Sequence, residues 1–299
     1  MTTVRKLFGD YKKKASQYIT SQERPFYPDY LADAVGLYKD VFKRFSELCK
    51  DAKSSEDLLR TIHCESGDTH KQLLRAFRKY VSPQTSVEML KVKASLESVI
   101  ANFGSTFRPI GLVCNRLCTR PLADEALAAV FWEHHDRGTP GYVLTATFFD
   151  FFEAAFSATY EIVGPRAAGA DVQLKSVFYK FTKIVPADFL IVRKSDHVPL
   201  VVGFAHYDSD RGGSQEDDRT GGNQDKVEKI MTYAARRRNP LQVLFINDGP
   251  GLLLGSMWDD YARLEEGNMV DDELRVMVAT LKMLPDRLTA DWIEGVHRP

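Results

Sequence analysis

The sequence predicts an α/β (α+β) protein in which a mixed sheet is flanked by helices and preceded by a helical N-terminal extension. Three observations predict it. Residues 186–246 hold two short apolar runs, a helical pattern and a third apolar run; residues 1–135 read as helical; and a Gly/Pro turn, DRGTPG at 136–141, separates the two parts. The expected division is therefore a helical region over 1–135 and a sheet-bearing region over 136–299.

The helical region rests on periodicity. Tyr30, Leu31, Ala34, Leu37, Tyr38, Val41, Phe42 and Phe45 form an apolar stripe at three- and four-residue spacing, and Leu58, Leu59 and Ile62 begin a second. Met89, Leu90, Val92, Leu96 and Ile100 predict one further helix ending near Gly104. A helix over 121–134 starts with Pro121 in its first turn, and Asp124 and Glu125 sit where the helix dipole favours acids.

Beyond the turn, Phe148, Phe151, Phe152, Ala155 and Phe156 predict a helix over 145–158 that also carries Glu153. Residues 160–163 read as a strand, and a second extended piece carries Asp171. Residues 187–192 and 200–207 read as adjacent strands, with Asp188 at the start of the first and Asp208 at the end of the second. The polar, glycine-bearing segment 209–223 reads as a long loop. A helix follows from Gln224, with Val227, Ile230, Met231 and Ala234 on its apolar face, and then a buried strand over 241–246. A helix over 258–264, a strand over 276–281 and a helical turn near Trp292 complete the chain.

Composition excludes several classes. With 44% hydrophobic and 27% charged residues over 299 positions, the chain has the make-up of an ordinary folded protein. A net charge of -1 excludes a globally basic nucleic-acid binder but leaves room for a locally basic groove. No run of eighteen apolar residues occurs, and MTTVRKLFGDYKKK lacks the apolar core of a signal peptide, so no membrane partner and a cytoplasmic location are expected. Cys49, Cys64, Cys114 and Cys118 fit free thiols in a reducing compartment. A zinc site is the alternative, although the four-residue step from Cys114 to Cys118 is not a strong zinc spacing.

The familiar catalytic motifs are missing. There is no GxxxxGK[ST] loop, since GPGLLLG at 249–255 has no lysine, and no GxSxG, HExxH or strand-to-helix GxGxxG. His134 and His135 are adjacent, which on a helix turns them about 100° apart. What remains is carboxylates at strand ends, an arrangement suited to a hard cation such as Mg²⁺, which takes one or two carboxylates plus substrate phosphate and water.

The order of helix with Glu153, strand, strand at PAD (186–188), strand ending at Asp208, helix and strand resembles the PD-(D/E)XK nuclease core, and the chain is similar to Type II restriction endonucleases built on it. The resemblance covers about 141–249, and its motif is short and degenerate. It implies a restriction-endonuclease-like mixed sheet, Mg²⁺ as cofactor with Asp188 and Asp208 as its ligands, and Glu153 as the acid the family often carries on the preceding helix. It also implies a lysine two residues after the second acid, where this chain has Asp210. His206, Asp210 or Lys226 is left to take that lysine's part. Asp171 is a further ligand candidate.

Within 209–223, Arg211, Gln215, Arg219 and Asn223 are of the types that read base edges, Arg with guanine and Asn or Gln with adenine. The basic runs at 12–14 and 236–238 are candidates for phosphate contact. The expected function is Mg²⁺-dependent, sequence-specific cleavage of double-stranded DNA within a restriction-modification system. A homodimer would carry it out, with region 1–135 as DNA clamp or dimerisation element. The alternatives are a nuclease-fold module that binds DNA without cutting it, and a repair-type nuclease without sequence specificity.

Overall fold

The computed structural model describes residues 6–23, 25–119, 125–133, 135, 139–209, 214–236, 241–270 and 273–295, and for 214–220 the backbone alone. The chain forms two compact units, one of Met1–Glu23 with Gly138–Pro299 and one of Arg24–Arg137. One break between the units falls between Arg137 and Gly138, within the Gly/Pro turn. The first 23 residues, however, belong with the sheet rather than with the helices.

The sheet unit is a mixed α/β structure. Its strands are β1 (Tyr160–Val163), β2 (Val172–Gln173), β3 (Pro186–Ala187), β4 (Phe189–Arg193), β5 (Pro199–Tyr207), β6 (Gln242–Asp248), β7 (Met269–Val270), β8 (Glu273–Leu274) and β9 (Val276–Ala279). Five of them make the main sheet in the order β1-β4-β5-β6-β9. β4 runs antiparallel to both β1 and β5, whereas β5, β6 and β9 are mutually parallel. Parallel neighbours need a crossover. Helix α2 (Ser214–Ala234) lies in the connection from β5 to β6, and α3 (Met257–Glu266) in that from β6 to β9. Every residue of β6 is buried, as a central parallel strand requires.

Helix α1 (Thr139–Phe156) precedes β1 and starts six residues before the periodic signal, with Pro140 in its first turn, where proline's missing N–H costs nothing. Its buried Phe148 and Phe149 meet the Phe189 ring of β4 at 4.8 and 6.0 Å between centroids. That ring lies across Gly203 of β5, where a Cβ would stand 1.9 Å from it. The position excludes any side chain, so glycine is required in mid-strand.

Two of the expected boundaries are corrected. Residues 214–223 are helical, so α2 begins ten residues before Gln224. No apolar residue occurs between Ser214 and Lys226, so the 3.6-residue pattern is silent there, and Gly221 and Gly222 each disfavour helix by about 1 kcal/mol. The run 187–192 is not one strand. It divides at Asp188 into β3, which pairs with β2, and β4, which joins the main sheet.

Residues 6–23 cover the C-terminal ends of the parallel strands. Phe8 stacks on Trp258 at 4.4 Å, Thr20 N donates to Asp248 Oδ1 at 2.6 Å, and Thr280 Oγ1 donates to the Tyr18 carbonyl at 2.5 Å. Glu265, fully buried, accepts from Phe8 N at 2.7 Å, Val278 N at 2.8 Å and Arg287 Nη2 at 2.7 Å. Lys12, a candidate phosphate contact, instead pairs with Asp259 at 2.6 Å.

The helical unit has its own core. Its longer helices are Leu31–Asp51, Ser55–Ile62, Gly67–Tyr80, Leu96–Phe103, Ile110–Thr119 and Glu125–Trp132. Tyr38, Phe42, Phe45, Leu58, Leu59, Ile62, Leu73, Leu74, Phe77 and Phe131 form a buried cluster. The single helix expected through Met89 and Ile100 is two, Val87–Lys91 and Leu96–Phe103, because Val92 adopts an extended conformation between them. Pro121, Asp124 and His134 lie outside the described residues. Among the described residues, no helix is long and apolar enough to cross a membrane.

Candidate functional site

Asp188 stands where the chain passes from the β2–β3 ribbon to the main sheet. Its N–H donates to the Gly203 carbonyl at 3.0 Å, and its Oδ2 accepts from Ala205 N at 2.9 Å. The carboxylate thus takes over where the β4–β5 ladder stops. Side chains alternate along a strand, so Asp188 faces away from Phe189 and α1, onto the face where Phe204 and His206 project.

Two further charges come to this point. In the ribbon Val172 pairs with Ala187 and Gln173 with Pro186, and one further step of that register leads from the ribbon's end to Asp171 and Asp188. The two carboxylates are close enough for the charge of Asp171 to act on Asp188. From α2, the half-buried Lys226 lays its ammonium over the Phe204 ring, 4.6 Å from the centroid. Burial pushes the Asp188 carboxyl above its usual range; the Ala205 amide opposes this, Asp171 adds to it, and Lys226 and His206 work against it. Burial likewise pulls the Lys226 ammonium down, while Asp188 and Asp171 hold it up. A carboxylate and an amine shifted towards each other beside a second carboxylate are a common mark of reactive sites.

The other site candidates are distributed differently. His206 Nε2 lies 3.2 Å from Asp208 Oδ1. Asp208 follows the last residue of β5 and is only 1% exposed. Its N–H donates to the Asp248 carbonyl at 2.8 Å, and its own carbonyl accepts from Gly251 N at 2.7 Å. Gly249, at φ +109, passes so close that a Cβ there would stand 2.3 Å from the Asp208 oxygen. Glu153 is exposed and paired with Arg166, which also holds Asp150 at 2.6 Å. Asn223 is buried, with its Nδ2 3.4 Å from the Tyr261 hydroxyl, so it does not stand in a loop reaching outward. Gln215 and Arg219 fall in the first part of α2. Asp210, Arg211, Arg237 and Arg238 lie outside the described residues.

Sequence reasoning missed Phe204 as the platform for Lys226 and Asp248 as the anchor of the N-terminal segment. Asp248 is fully buried and accepts from Thr20 N, Gly249 N and Leu281 N. Its signal was available, since it ends β6 just as Asp208 follows β5. All four cysteines are free, and the Cys114 thiol donates to the Cys49 carbonyl at 3.2 Å.

The two carboxylates that could together receive a divalent ion are Asp188 and Asp171, while Asp208, the other expected ligand, is buried beside the end of β6. Among the described residues no three His, Cys, Asp or Glu side chains gather into a ready-made cage. Two oxygen donors fit Mg²⁺, which keeps several waters and takes further oxygens from a phosphate. Compared with protein-family models, curated proteins and solved structures, the chain matches none.

Proposed function

We propose that the chain is a Mg²⁺-dependent endonuclease of DNA, of the PD-(D/E)XK kind that its element order resembles, with its site at Asp188, Asp171 and Lys226. The observation that carries this reading is the register that leads from the ribbon's end to Asp171 and Asp188, with the Lys226 ammonium near enough for each charge to shift the other. Bound there, Mg²⁺ would supply charge neutralisation at the phosphate and acidify a water.

Asp188 and Asp171 would hold the ion, with Asp188 fixed in place by the Ala205 amide. Lys226, kept off the protein surface by Phe204, would orient the attacking water or meet the charge that develops on the phosphate, the part of the lysine missing two residues after Asp208. His206, hydrogen-bonding distance from Asp208, would act as a positioning group at the edge of the site. The finer form of the proposal is sequence-specific double-strand cleavage by a homodimer.

Supercoiled plasmid incubated with Mg²⁺ tests the reading. Wild type should linearise it, with discrete fragments from a longer DNA. Asp188→Ala should lose activity, and Lys226→Met should retain about 10⁻² to 10⁻⁴ of it, the usual contribution of a proton-handling side chain. Full activity in Asp188→Ala overturns the site, and a smear in place of fragments indicates the repair-type form. A DNA-binding module without cleavage is the second reading, favoured by the burial of Asp208. A gel shift with no cutting by wild type would establish it.

A further inference from the structure

A cavity of about 460 Å³ opens between the segment 180–183 and the second half of α2. Its walls carry Lys180, Lys183, Lys229 and Arg236 against two carboxylates, Asp225 and Glu228. Asp225 is already paired with Lys229. In a chain of net charge -1, this is a concentrated basic groove. Along the chain, both walls continue to residues of the proposed site. The segment 180–183 runs on through β3 to Asp188, and Lys229 follows Lys226 by one helical turn. From Lys226 to its end at Ala234, just before Arg236, α2 rises about 12 Å, the length of about two nucleotides.

Just outside the cavity stands Tyr179, 75% exposed. Its ring is 5.2 Å from Lys180 Nζ, and its carbonyl accepts from the Tyr233 hydroxyl at 2.9 Å, which fixes the backbone beneath it. Lys180 itself has φ +61, a left-handed conformation that a lysine adopts at some cost. Cations along a groove together with an exposed aromatic ring are the elements that hold a single nucleic-acid strand, the cations tracking phosphates and the ring stacking on a base. A cleft of this volume takes about one nucleotide at a time, so it suits a single strand lying along it with the neighbouring nucleotides on its open sides.

We infer that this cleft binds an unpaired DNA strand, with its phosphates along Lys183 and Arg236 and one base on Tyr179. The inference rests on the nuclease reading and replaces its finer, double-strand form: the substrate is DNA with a single-stranded end, flap or gap, not an intact site in duplex. Binding is measured apart from cleavage, by fluorescence anisotropy in EDTA with a labelled oligo-dT of roughly 16 nucleotides and a duplex of the same length.

Wild type should bind the single strand at least ten-fold more tightly than the duplex. The double reversal Lys183→Glu/Arg236→Glu should weaken single-strand binding at least ten-fold and flatten its dependence on log salt by about 1.4, for two lost phosphate contacts. Tyr179→Ala should weaken it about five-fold or more without changing the salt slope. All three side chains are exposed, and circular dichroism melting verifies that the variants fold. Equal or tighter duplex binding, or a double reversal that binds like wild type, overturns the cleft. If single-strand preference holds and is lost on reversal while no DNA is cut with Mg²⁺, the cleft stands and the nuclease reading falls.

Discussion

Burial makes the charged form of Asp188 costly. Burial raises its pKa from the ordinary 3.8, and the Ala205 amide, Lys226 and His206 only partly offset that. A carboxyl whose pKa is higher folded than unfolded binds its proton more tightly in the folded state. The fold is therefore favoured where the group is protonated in both states, and it loses that advantage as pH rises through the folded pKa. Asp188→Asn removes the charge and keeps an oxygen to accept from Ala205. It should raise Tm at pH 7, with the gain gone by about pH 3, while abolishing cleavage, the usual exchange of stability for activity at a reactive site. Thermal melts at the two pH values check this, and an unchanged or lower Tm at pH 7 contradicts it. At this scale the sequence was partly readable. Asp188 was visible as an acid at a strand start, but its partner was not, because Asp171 meets it through the register of a ribbon of two-residue strands too short to show a pattern. Nor did spacing reveal that Arg166 engages Glu153.

Among the elements, β5 links the two faces of the sheet. Gly203 gives room to Phe189 on the α1 side, and its neighbour Phe204 supports Lys226 on the α2 side. Gly203→Ala should cost at least the 1–3 kcal/mol typical of overpacking, read as a lower midpoint in urea unfolding, and should impair cleavage by shifting β4 and Asp188. A stability within 0.5 kcal/mol of wild type, the ordinary range for a surface change, would show that the ring moves freely aside. The strands β1, β4, β5 and β6 and the helix before them were legible because their apolar runs are contiguous or periodic. The start of α2 was not. Its first dozen residues present no apolar face, and polar, glycine-bearing sequence reads as loop unless neighbouring structure makes it helical.

At the scale of the whole molecule, the chain leaves the sheet unit after about 23 residues, builds the helical unit and returns. The opening segment is tied to the sheet by buried charge: Glu265 takes the Phe8 amide and pairs with Arg287, and Asp248 takes the Thr20 amide. The links from Phe8 and Thr20 join residues more than two hundred positions apart, which no local pattern can display, and so the helical reading of 1–135 absorbed the first 23 residues. The helical unit's separate apolar cluster leads to a test. A fragment of residues 24–137 should fold alone, with helical circular dichroism and one cooperative thermal transition. A fragment that melts without a transition would mean that its core depends on the rest of the chain.

The central claim is that Asp171 and Asp188 together hold a divalent ion beside Lys226. It is tested most directly by titrating Mn²⁺ into the protein saturated with an uncleavable phosphorothioate DNA and following free Mn²⁺ by electron paramagnetic resonance. Wild type should take up about one tightly bound ion per chain, as expected of a site completed by substrate phosphate, and Asp171→Asn/Asp188→Asn should take up none in the same range. Equal uptake by the two proteins would contradict the account.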